Sequence, residues 1–139
     1  KVNKDVMVVD DYAHHPVEVE SVISAVKNNW NRNLYVVFQP HLFSRTKQFY
    51  KEFASALMAA DKIFITEIFA SREKDDRSVS SQLIIDELIK KKHKDVTSLP
   101  LIDVVEKLKA KVVKDDIILT LGAGDIWRYS EDLGKHFNE

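Results

Sequence analysis

The chain predicts an α/β fold: a single Rossmann-like three-layer domain with a mostly parallel sheet flanked by helices. Three observations carry this. Short β-branched and aromatic runs alternate with longer segments whose apolar residues recur at helical spacing. The runs are continuously apolar, as strands covered on both faces must be. Polar residues also crowd the points where runs end and helices begin, and open α/β sheets bind ligands there.

Each element follows in order. Residues 6–9 (VMVV) form a short buried run and predict the first strand. Beyond Pro16, the residues Val19, Val22, Ile23, Val26 and Trp30 share a helical face. Pro16 suits that helix's first turn, where a backbone N–H has no intrahelical partner. Residues 34–38 (LYVVF) are the second strand, closed by Gln39 and Pro40. Phe49, Phe53, Leu57 and Met58 mark the second helix, and residues 62–66 the third strand. Residues 67–80 lose periodicity, and the charged stretch SREKDDRS over 71–78 predicts an exposed loop. Ser80 or Ser81 is placed to cap the next helix, which carries Leu83, Ile84 and Leu88. The basic run over 90–94 reads as that helix's solvated last turn, where cations suit the helix dipole. Residues 96–99 are a weak strand, Val104, Val105, Leu108 and Val112 a helix, and residues 117–121 the clearest late strand. Gly122, Ala123 and Gly124 turn the chain into a last helix through Ile126, Trp127, Tyr129 and Leu133.

Composition bounds the function. A chain of 139 residues without repeat or linker is assigned as one domain over residues 1–139. Twenty-one basic against 22 acidic residues leave a net charge of −1, which argues against a general nucleic-acid partner. No apolar run approaches the roughly 20 residues of a membrane span, so no membrane partner is expected. With no cysteine there is neither a disulfide framework nor a thiolate metal site, which fits a cytoplasmic setting. Residues 1–4 (KVNK) show no signal-peptide pattern. The missing initiator Met and the immediate first strand point to a piece of a longer protein.

Three strand-to-helix corners hold the chemistry. The first is DDYAHHP over residues 10–16. A carboxylate such as Asp11 can accept both hydroxyls of a ribose, while His14 and His15 can donate to phosphate or carboxylate oxygens. The plain alternative is that one aspartate caps the helix. The second corner, FQPHLFSRT over 38–46, is basic. On a helical turn His41 and Arg45 would share a face, and an Arg fork matches a carboxylate or phosphate. Ser44 and Thr46 are candidate caps, and Phe43 reads as core. The third corner, LGAGDIW over 121–127, holds two of the chain's three glycines. Gly122 and Gly124 would let backbone N–H groups approach an anion, or would only serve a tight turn. Trp127 reads as packed. No GxxxxGK[ST] phosphate loop exists in the chain, so these corners would make only part of an ATP site.

These three motifs, in this order and spacing, resemble the C-terminal domain of the Mur ligases over essentially the whole chain. The resemblance implies ATP-dependent amide formation in peptidoglycan synthesis, joining L-alanine to UDP-N-acetylmuramate through an acyl phosphate. It also implies two further domains, one binding the UDP-sugar and a central ATPase domain that holds most of the Mg2+ ligands. By position, Asp11 would bind the ATP ribose. Tyr12 and His14 would face the nucleotide, and His15 the nucleotide or the activated carboxylate. His41 and Arg45 would hold the amino-acid carboxylate and the acyl phosphate, with Gly122, Ala123, Gly124 and Asp125 on the substrate side. Leu42 departs from the family pattern, which often carries a basic residue there. The implied domain completes a shared site and is inactive alone.

Other readings stand beside this one. A murein tripeptide recycling ligase shares the first motif but differs at the second. A metal-dependent hydrolase would use Asp10, Asp11, His14, His15 and His41 as ligands. A signalling receiver would need an acceptor aspartate after the third strand, where Thr66 and Glu67 stand.

Overall fold

The computed structural model describes residues 5–138, so the reading of residues 1–4 lies outside the described residues. The elements are β1 (Met7–Asp11), α1 (Pro16–Asn29), β2 (Leu34–Phe38), α2 (Phe43–Leu57), β3 (Lys62–Ile65), α3 (Gln82–Lys90), β4 (Val96–Ser98), α4 (Val104–Lys111), β5 (Ile117–Leu121) and α5 (Ile126–Asn138). A 3-10 turn at Leu101–Asp103 leads into α4.

The five strands form one sheet in the order β1-β5-β2-β3-β4, and every pairing is parallel. The steps from β1 to β2, β3 and β4 all run one way along the sheet, and the step from β4 to β5 runs back. Parallel crossovers are right-handed, so reversing direction moves the connecting helix to the other face. The core divides accordingly. Val19, Ile23, Phe53, Leu57, Ile84 and Leu88 from α1, α2 and α3 pack with Leu34, Val36 and Phe38. Leu108 from α4 and Ile126, Leu133 and Phe137 from α5 pack with Tyr35 and Val37 on the opposite face. The three-layer expectation holds.

Three local expectations change. β1 runs two residues further than its apolar stretch, because β5 pairs Thr120 with Asp10 and Leu121 with Asp11. Thr120 Oγ1 also donates to Asp10 Oδ1 at 2.6 Å, which makes a carboxylate tolerable in the strand. Ser81 takes the cap position of α3 but does not cap it; its hydroxyl donates to the Thr66 carbonyl. Ser80 Oγ accepts from Gln82 N at 3.2 Å instead. In the basic run the lysines are exposed, but His93 ties the helix end down. Its Nδ1 accepts from Asp95 N, so Nε2 carries the proton donated to the Ala60 carbonyl at 2.7 Å.

Candidate active site

Topology brings the three corners together. β5 lies between β1 and β2, yet its following helix leaves to the opposite face from α1 and α2. That is a topological switch point, where the diverging chains open a crevice at the carboxyl ends of the strands. Backbone bonds join the corners directly. Gly122 N donates to the Asp11 carbonyl at 3.2 Å, and Gln39 N donates to the Leu121 carbonyl at 2.9 Å.

The first corner organises itself. Asp11 Oδ1 accepts from Ala13 N at 2.9 Å, closing a turn that lifts the chain out of β1. Its second carboxylate oxygen has no partner among the described residues. The cap of α1 is His15 and not an aspartate. Its Nδ1 accepts from Val17 N, while Glu18 Oε1 accepts from the backbone N–H groups of His14 (3.2 Å) and His15 (3.1 Å). This is a capping box with an imidazole in the usual hydroxyl position. The His14 N–H bond above all holds the Glu18 carboxyl below its ordinary range. The His15 ring packs at a tilt 5.1 Å from Phe49, and with Nδ1 engaged by Val17 its Nε2 is the nitrogen able to face a ligand. Tyr12 is 68% exposed, and its ring meets His14 edge-on at 5.4 Å.

The second corner is built differently from its sequence pattern. His41 precedes the helix, bridging to Phe69 in parallel beyond the end of β3. Leu42 follows with φ 75°, a conformation side chains rarely adopt, and α2 starts at Phe43. His41 and Arg45 still meet, with Arg45 Nη1 3.3 Å from His41 Nδ1. A guanidinium only donates, so Nδ1 accepts and the proton of a neutral His41 sits on Nε2. Burial first, then the Arg45 and His14 charges, hold the His41 pKa below the ordinary imidazole value. The His14 and His41 rings are 5.8 Å apart, edge to face, which joins the first two corners. Neither Ser44 nor Thr46 caps α2: Ser44 donates its hydroxyl to Glu73, and Thr46 Oγ1 donates to the Leu42 carbonyl. Phe43 is half-buried and lines a separate cavity of about 480 Å³ with Thr66, Glu67, Ser81 and Leu99.

The third corner is shaped by contact. At Gly122, φ is 152° and a Cβ would lie 2.9 Å from the Gln39 carbonyl oxygen. At Gly124, a Cβ would lie 2.5 Å from Phe69 Cγ and 2.7 Å from Gln39 Oε1. Both glycines therefore allow close packing inside the protein, the plainer of the two expectations. Gln39 is 2% exposed. Its Nε2 donates to Asp125 Oδ1 at 2.9 Å, and its Oε1 accepts from Ile126 N at the start of α5. Trp127, expected to be packed, is 45% exposed and lies under the Arg128 guanidinium at 5.4 Å.

Gln39, Phe69 and Glu73 were not singled out from sequence. A charged loop gives no sign of distant partners; Gln39 alone offered one, a polar residue directly after an all-apolar strand. The hydrolase ligand set does not assemble. Asp10 shares the Val8 face of β1, whereas Asp11 shares the Met7 and Val9 face, because strand side chains alternate. No three His, Asp or Glu side chains converge to hold a metal ion among the described residues. No helix among them is long and apolar enough to cross a membrane.

Fold and site together define a doubly wound parallel α/β domain with imidazoles, a guanidinium and a free carboxylate oxygen at its switch point. The family described as "Mur ligase, glutamate ligase domain" matches residues 1–124, and the chain belongs to the Mur ligase family. It is 47% identical over 131 residues to a UDP-N-acetylmuramate–L-alanine ligase of Caldanaerobacter subterraneus subsp. tengcongensis, covering 94% of this chain and 28% of that protein. It is 40% identical over 131 residues to the ligase of the same name from Geotalea uraniireducens, covering 94% of this chain and 29% of that protein. Among solved structures, the UDP-N-acetylmuramate-alanine ligase of Thermotoga maritima superposes with a TM-score of 0.74 at 27% identity, covering 95% of this chain and 26% of that one. The chain thus spans less than a third of the length of these relatives.

Proposed function

We propose that this chain is the closing domain of an ATP-dependent ligase that joins L-alanine to UDP-N-acetylmuramate in peptidoglycan synthesis. One observation carries the reading: a switch-point cluster of His14, His41 and Arg45, suited to anionic, phosphorylated groups, in a chain 47% identical to a UDP-N-acetylmuramate–L-alanine ligase. In this reading ATP supplies the phosphoryl group that turns the muramoyl carboxylate into an acyl phosphate. L-alanine's amine displaces phosphate from it to form the amide.

The residues present fit a nucleotide. Asp11 keeps one oxygen in its own turn and offers the other to the ribose hydroxyls. Tyr12 and His14 form an exposed aromatic edge beside it. His15 turns only Nε2 outward, toward the nucleotide or the activated carboxylate. Arg45 supplies a permanent positive charge, and His41 donates from Nε2 to the amino-acid carboxylate or the acyl phosphate. These groups stabilise developing negative charge by position, which is the main demand of phosphoryl transfer. The turn at Gly122, Ala123, Gly124 and Asp125 forms the substrate-side wall, braced from behind by Gln39. Mg2+ belongs to the central domain in this reading, and the isolated chain, lacking a phosphate loop, does not turn over.

The test is ligation by the full-length enzyme. Arg45→Ala should lower kcat/KM about a hundredfold, the scale of losing one donor to a reacting oxyanion. Near-normal kinetics would remove Arg45 from the site. Clear ATP-dependent turnover by the isolated chain would overturn the shared site, and preference for a tripeptide over L-alanine would overturn the substrate.

A further inference from the structure

The loop over residues 67–80 is the least regular part of the chain, and it sends one side chain into the site's supporting structure. Helix α2 begins without a cap of its own. Leu42 has no acceptor in its side chain, and its backbone is held at φ 75°. The first N–H groups of a helix need acceptors from outside it. Glu73 supplies them from 30 residues away, with Oε1 accepting from Phe43 N at 2.6 Å and from Ser44 N at 3.2 Å. Its other oxygen accepts the Ser44 hydroxyl. A carboxylate also suits the positive end of the helix dipole. The Ser44 hydroxyl, more than any other contact, holds the Glu73 carboxyl below its ordinary range, and Arg45 adds to this.

Two consequences follow. The N-terminus of α2, otherwise ready to take an anion, is already filled by a carboxylate of the chain, so anion binding at this corner falls to Arg45 and His41. The first turn of α2 carries Arg45, and the same loop carries Phe69, whose backbone bonds Pro40 and Leu42 on either side of His41. The loop therefore clamps His41 and Arg45 from both ends.

We propose that Glu73 is a positioning residue for the ligation site: by capping α2 from outside it sets the direction in which Arg45 presents its guanidinium. This rests on the proposed role of Arg45, and the experiment separates the two. Steady-state ligation is measured for Glu73→Ala, Glu73→Gln, Arg45→Ala and the double variant Glu73→Ala/Arg45→Ala in the full-length enzyme. Glu73→Ala should lower kcat/KM about 10- to 100-fold, the scale set by misplacing a catalytic group by about 1 Å. Glu73→Gln keeps an acceptor for both N–H groups and should stay within about threefold of the parent. In the Arg45→Ala background, Glu73→Ala should cost less than about twofold, because residues acting through one group are not additive. An undiminished Glu73→Ala effect in that background would overturn the proposal, and so would parent-like activity of Glu73→Ala beside an impaired Arg45→Ala. A fully active Arg45→Ala would instead overturn the role of Arg45. Should Glu73→Ala fail to fold by circular dichroism, Glu73→Asp keeps the charge but falls short of the helix. The same cycle then decides with Glu73→Asp.

Discussion

The first corner and the pair formed by the second and third hold their side chains in opposite ways. At the turn from β1 into α1 the side-chain bonds that shape the corner are local: Asp11 to Ala13, His15 to Val17, Glu18 to His14 and His15, while Asp10, on the other face of β1, is held from afar by Thr120. Around β2 and β5 the bonds that brace the corners reach between distant parts of the chain. Gln39 reaches Asp125 and Ile126 across 86 and 87 residues, and Glu73 reaches Phe43 and Ser44 across 30 and 29. Phe69 packs where a side chain on Gly124 would stand. A corner built from neighbours keeps its geometry wherever the local chain is folded. A corner built from distant partners exists only when the whole sheet is in register, so remote substitutions can misplace His41 and Arg45 and leave His15 undisturbed.

The largest break in that contrast is expected at Gly124. Gly124→Ala drives a methyl into the body of the Phe69 ring and the bonded Gln39 amide. It should destabilise the domain by about 3 kcal/mol, the upper range for overpacking. Gly134→Ala is the control, because its Cβ meets nothing nearer than 4.0 Å, in α5. It should raise stability by about 0.5–1 kcal/mol, the helix preference of Ala over Gly. Denaturant melts of both variants check this, and equal effects would show that the corner is not tightly packed. Next comes Gln39→Leu, which keeps the volume but removes the acceptor for Ile126 N and the donor to Asp125. The loss should be about 2 kcal/mol, the scale of leaving buried polar groups without partners. Under the contrast drawn here, ring resonances of His41 should shift in this variant while those of His15 stay put. Matching shifts at both histidines would dissolve the distinction between the corners.

The same contrast explains what could be read from the sequence. Strand positions and helix faces followed from periodicity, since Leu34, Val36 and Phe38 need only be apolar to find their layer. Parallel pairing and the three adjacent corners followed from alternation of strand and helix. DDYAHHP was legible as a candidate site because its polar residues stand within five positions of one another in the sequence. The role of His15 as a cap was not, since hydroxyls and carboxylates usually take that place. The extension of β1 through Asp10 was hidden because a carboxylate in a strand is rare without a partner, and that partner, Thr120, lies 110 residues on. Glu73 was hidden for the same reason: in a charged loop, nothing local separates a solvated acid from one that caps a helix.

The smallest expected effect probes where the two kinds of corner touch, at the His14–His41 pair. His41 is held neutral by burial and by the neighbouring charges of Arg45 and His14. In the unfolded chain it titrates near the ordinary value of about 6.5. Above that pH neither state binds the proton, so His41 contributes nothing to pH dependence. As pH falls below it, the unfolded state takes up a proton that the folded state refuses, so stability declines until His41 protonates at its depressed pKa. Proton resonances of the His41 ring should therefore titrate below the ordinary value and move back toward it in Arg45→Ala. The acid-side decline in melting temperature should be shallower in His41→Asn. Once protonated, Nδ1 can no longer accept from Arg45, so acid would loosen the guanidinium that the long-range contacts hold in place. A His41 that titrates clearly above the ordinary value would mean that a protonated imidazole stands beside the Arg45 guanidinium at neutral pH. The second corner would then depend on a bound anion for its geometry, and the distant contacts would not suffice.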